Sequence, residues 1–104
     1  MSENKIAGAP ISWGVCEVPG WGHQMLQDRV LSEMKSVGYT ACEFGPLGFL
    51  PEAPEKRAEV LSKHGLTAVG GFVPVLLHNP EHNPEPEIRA ELEAFTAAGA
   101  QVMV

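Results

Sequence analysis

Residues 25–45 read MLQDRVLSEMKSVGYTACEFG, and this stretch decides the fold. Leu26, Val30, Met34 and Val37 recur at helical spacing, Gly38 suits a C-terminal cap, and Thr40 to Phe44 have the composition of a short strand. The same plan returns twice. In 54–75, PEKRAEVLSKHGLTAVGGFVPV, Pro54 suits a first helical turn, and Ala58 and Leu61 share a face. Gly65 then stops the helix, and Leu66 to Val73 form a strand. In 85–104, EPEIRAELEAFTAAGAQVMV, Ile88, Leu92 and Phe95 make the stripe, Gly99 ends it, and Gln101 to Val104 begin another strand. Ile6 to Ile11 supplies an opening strand, its ladder limited by Pro10.

The predicted order is β-α-β-α-β-α-β, and helices between apolar strands imply parallel, right-handed crossovers. Such a sheet must be covered on both faces or closed into a barrel. The sequence stops inside its fourth strand. Two architectures fit: a small open flavodoxin-like sheet, or half of an eight-fold TIM barrel, whose usual size is about 250 residues. The distinctive loops after the strands favour the half-barrel. The expectation is thus one domain over 1–104, the amino-terminal half of a (β/α)8 barrel truncated after the fourth strand.

Composition fits one soluble globular domain: 104 residues, 44% apolar and 19% charged. The formal charge is -6, from 7 basic and 13 acidic residues, and no basic cluster could neutralise phosphates. Nucleic acid and anionic membrane are therefore not expected partners. No apolar run approaches the ~20 residues that span a bilayer, and the leading Met-Ser-Glu-Asn-Lys shows no signal-peptide pattern. Cys16 and Cys42 are far apart and outside any CxxC pair, as expected of reduced thiols in a cytoplasmic protein.

In a parallel α/β protein, function gathers at the carboxyl ends of the strands. Three loops lie there: Ser12 to His23, Gly45 to Glu52, and Pro74 to Pro84. The first holds both tryptophans. Trp13 follows the opening strand and is expected at the rim of a mouth, where an aromatic wall suits the C–H faces of a sugar or polyol. Trp21 reads equally well as a packing anchor or a substrate contact. Glu43 is the sharpest residue. Alternation puts Ala41, Glu43 and Gly45 on one face and Cys42 and Phe44 on the other. A carboxylate in that position is either bonded to neighbouring strands or held for hydroxyl binding or proton handling.

The run HNPEHNPEPE, 78–87, imitates a metal site, but Pro80 and Pro84 oppose the helix that would bring His78 and His82 together. His78 remains a candidate mouth residue, His82 reads as solvated, and His64 sits where a cation favours a helix C-terminus. Gly70-Gly71 implies close approach of a ligand or of a side chain such as Trp13. Dinucleotide and P-loop fingerprints are absent.

The runs GAPISWG (8–14), GYTACEFGPLGFLP (38–51) and HGLTAVGGFVPVLLH (64–78) resemble the inosose-dehydratase-like branch of the sugar phosphate isomerase/epimerase family, which has a xylose isomerase-like TIM barrel. The resemblance spans nearly the whole chain. It implies a cytoplasmic enzyme that dehydrates a keto-inositol, or isomerises or epimerises a keto-sugar, through an enediolate. It also implies a divalent metal, Mn or Co, whose ligands lie in the half that follows and not in this chain. The catalytic residues are accordingly unassigned, and Trp13, Glu43 and His78 are the substrate-side candidates. The chain alone is expected to be inactive and to self-associate or pair with a complementing carboxyl-terminal half. The alternatives are a non-catalytic half-barrel assembly module and a complete flavodoxin-like domain.

Overall fold

A computed structural model describes residues 5–16 and 18–104; the leading Met1–Asn4 segment, read above for targeting signals, lies outside them. Four strands, β1 (Ala7–Gly8), β2 (Ala41–Glu43), β3 (Thr67–Gly71) and β4 (Val102–Met103), form one sheet in the order β1-β2-β3-β4. All three pairings are parallel. Three helices, α1 (Gln27–Ser36), α2 (Pro54–Lys63) and α3 (Glu85–Ala98), supply the crossovers. A sequential order without reversal places same-handed crossovers on one side of the sheet, as in half of a TIM barrel. The flavodoxin-like alternative needs a strand-order reversal, and this sheet has none.

The core lies between that helix layer and one sheet face. Val30, Leu31 and Met34 of α1, Leu61 of α2, Ala94 and Phe95 of α3, and Cys42, Phe44 and Leu66 are all buried. Phe44 and Phe95 meet edge to face, centroids 5.0 Å apart at 78°. The other sheet face is open: Val69, Val102 and Val104 are exposed.

The strands are shorter than the sequence predicts. The opening strand ends at Gly8, because Pro10 has no N–H for the ladder and its fixed φ starts a 3-10 turn, Pro10–Trp13. Leu26 and Val37, read as helical, lie just outside α1 as its caps and are exposed. In α3 the inward residues are Ala94 and Phe95, while Leu92 is largely exposed. Gly38, Gly65 and Gly99 all take positive φ where the helices end, as their placement predicts.

Candidate functional site

Glu43 closes β2 at its carboxyl end, half-buried, while its neighbours Cys42 and Phe44 point into the core. Its carboxylate makes no hydrogen bond or ion pair with the described residues. It faces a cleft of about 270 Å³ to which the segments following β1, β2 and β3 all contribute. The first gives Pro10, Ile11 and Val15, the second Gly45 and Pro46, and the third Phe72 and Pro74. Among the described residues Glu43 is the one ionisable side chain lining it. One acceptor among apolar walls can take hydrogen bonds from a hydroxylated ligand whose C–H faces pack on those walls.

The apolar wall differs from the one the sequence suggests. Trp13 does not line this cleft; it is half-buried and stands edge to face with Tyr39, centroids 6.1 Å apart. The 3-10 turn explains this. With three residues per turn, Trp13 falls on the same side as buried Pro10, and Ile11, one residue past Pro10, is left facing outward. Trp21 is exposed and is not among the described residues packed against the core. His78 is exposed on the third loop, outside the cleft lining. The structure therefore brings Glu43 to the cleft and leaves Trp13 and His78 outside its lining.

His64 and His82 have local partners. His64 Nδ1 lies 2.9 Å from the Val60 carbonyl, and its Nε2 is 3.4 Å from Asp28 on α1. His82 Nε2 is 2.8 Å from Glu87. Among the described residues no three His, Cys, Asp or Glu side chains gather where they could hold a metal ion. These residues do not form a metal centre on their own. Nor is any described helix long and apolar enough to cross a membrane.

Cys42, beneath Glu43, is buried, and its thiol donates to the Glu43 carbonyl at 2.9 Å. Burial pushes this thiol up to about 12, with the negative charge of Glu43 adding to the effect. It stays protonated at neutral pH and is no nucleophile.

Sequence reading missed Ile11, Val15 and Phe72 as cleft walls, and it missed Arg57. That guanidinium, 8% exposed, pairs with Glu91 of α3 at 3.0 Å. Its Nε donates to the Pro51 carbonyl at 2.8 Å, and it lies 5.5 Å from the centre of the Phe44 ring. An arginine on a charged helix face reads as solvated, and only the packing of α2 on α3 buries it. Gly70 and Gly71 are explained by neighbours other than Trp13. A Cβ on Gly70 would sit 2.1 Å from the Val102 carbonyl oxygen, and one on Gly71 would sit 3.2 Å from the Phe95 ring.

Over 91 residues, 88% of its length, the chain is 43% identical to inosose dehydratase of Geobacillus kaustophilus (strain HTA426), covering 27% of that protein. It is 33% identical over 91 residues to the rhizopine catabolism protein MocC of Rhizobium meliloti, covering 26% of it. The chain thus spans about a quarter of the length of the curated relatives it matches. No family model and no solved structure matches it.

Proposed function

We propose that this chain, a homologue of inosose dehydratase, contributes one wall of the substrate mouth of a sugar- or polyol-acting enzyme, and that Glu43 is its polar contact. The observation that carries this reading is a carboxylate at a strand's carboxyl end, without a partner among the described residues, in a cleft walled by the segments that follow three strands. The carboxylate accepts hydrogen bonds from ring hydroxyls, or takes and returns a proton beside a carbonyl, while Ile11, Val15 and Phe72 cover the apolar ring face. Trp13 and His78 are proposed as flanking groups, one backing the Pro10–Ile11 wall and the other on the third loop.

Dehydration of a keto-inositol, expelling a hydroxyl beta to the carbonyl through an enediolate, is the reaction this reading favours over isomerisation or epimerisation. The divalent ion implied by the resemblance would take its ligands from outside the described residues. The open sheet face makes a second copy or a complementing carboxyl-terminal half part of the same proposal.

Saturation-transfer NMR of the chain with an inosose tests the reading. Wild type is expected to give saturable transfer to the ring protons, and Glu43→Gln to lose roughly tenfold in affinity, the worth of one charge-assisted hydrogen bond. Equal affinity in both proteins, or none in wild type, overturns it.

A further inference from the structure

Arg57 lies one turn into α2, yet its side chain reaches back over the start of that helix. Nε donates to Pro51 O at 2.8 Å, and Nη2 to Glu52 O at 3.4 Å. The same fork grips both carboxylate oxygens of Glu91, Nη1 to Oε2 at 3.0 Å and Nη2 to Oε1 at 3.4 Å. An arginine that only joined two helices would need the carboxylate alone. Here a buried guanidinium is shared between a carboxylate on α3 and two carbonyls of the loop joining β2 to α2. Its face also covers Phe44, the residue after Glu43.

That loop forms the second wall of the cleft through Gly45 and Pro46. It turns back on itself through the bond from Phe49 N–H to Pro46 O, 3.1 Å. α1 contributes one more tether, Gln27 Nε2 to Phe49 O at 2.6 Å. Its far end is held by Arg57, and Arg57 is oriented by Glu91.

We infer that Arg57 is a positioning residue: fixed by Glu91, it sets the 45–53 loop and the end of β2, and so the width of the cleft at Glu43. The cleft's shape is thereby tied to the packing of α2 on α3, outside the cleft itself. This inference rests on the reading of the Glu43 cleft as a polyol site. Lysine cannot replace the arginine, because an ammonium lacks the planar fork that serves carboxylate and carbonyls together.

The test is amide hydrogen exchange on the full chain, paired with inosose affinity, for wild type, Arg57→Met, Arg57→Lys and Glu91→Gln. Arg57→Met is expected to speed exchange of the Phe49 amide roughly tenfold relative to the Leu31 and Met34 amides of α1, and to weaken inosose binding by a similar factor. Arg57→Lys restores neither fully. Glu91→Gln, which keeps volume and the carbonyl bonds, gives a smaller rise at Phe49 and decides the matter should Arg57→Met not fold. Exchange at Phe49 that changes no more than in α1, in whichever variants fold, overturns the inference. So does a freed Phe49 amide with unchanged inosose affinity. Absence of inosose binding in wild type removes the polyol reading instead, and Phe49 exchange still reports on the clamp.

Discussion

Glu43 stands opposite Gly70 across the β2–β3 ladder, whereas Cys42, one residue earlier, stands opposite Ala68. Between those pairs β3 carries one residue more than β2, and Val69 is the extra one. The slip exchanges the faces of everything after it. Continued alternation from Ala68, which packs on the core, would send Phe72 to the helices and Val73 to the cleft. Instead Val73 packs on the core and Phe72 lines the cleft beside Glu43.

Gly70→Ala should cost about 1–3 kcal/mol, the usual range for an inserted methyl group that forces its neighbours to move. The added carbon would meet the Val102 carbonyl of β4 at 2.1 Å, and backbone cannot rotate aside. Urea unfolding of wild type and variant measures this. An unchanged midpoint would mean that β4 does not approach so closely.

Phe72→Ala should leave stability nearly unaltered, since the ring is already 57% exposed. It should weaken inosose binding by removing part of the apolar lining that it shares with Val15 and Ile11. Val73→Ala is expected to do the reverse, lowering the unfolding midpoint with little effect on affinity. A swap of the two phenotypes would mean that β3 keeps a regular register.

Leu61→Ala should cost about 2–5 kcal/mol, as large-to-small changes in a filled core do. Leu61 is 1% exposed and packs at the heart of the helix–sheet layer. Thermal unfolding with circular dichroism reads the loss, and a shift no larger than for an exposed site such as Leu92 would contradict the packing.

Cys42 gives a pH signature. Its thiol, pushed up to about 12 in the fold, ionises near 8.5 in the unfolded chain. The raised value stabilises the fold fully below the unfolded pKa, and this contribution is lost as pH rises through that window toward 12. Unfolding free energy should therefore fall between about pH 9 and pH 12, and Cys42→Ala should flatten that part of the curve. At pH 8.5, iodoacetamide should leave Cys42 unmodified in the native chain and label it in urea.

Much of the site was legible because Glu43 has an unusual address. An acid between two apolar residues near a strand end has few places to go, and period-two alternation was enough to turn it away from the core. Trp13 was harder to place, since its orientation depends on a change of period from two to three at Pro10, and one turn of 3-10 geometry leaves little trace in composition. Arg57 was invisible for another reason. Glu55, Lys56 and Glu59 around it are charged and exposed, and its burial comes from a helix that begins 28 residues later.

The sequence by itself determined the alternation of helices and strands, the glycines that end each helix, the parallel sheet, and the face that Glu43 takes. Those features rest on local periodicity and backbone preference, which each segment carries alone. Tertiary structure decided the strand order, the slip at Val69 that brings Phe72 to the cleft, and the burial of Arg57 between two crossovers. Each of these depends on which distant backbone or carboxylate arrives alongside, a relation set by packing between units.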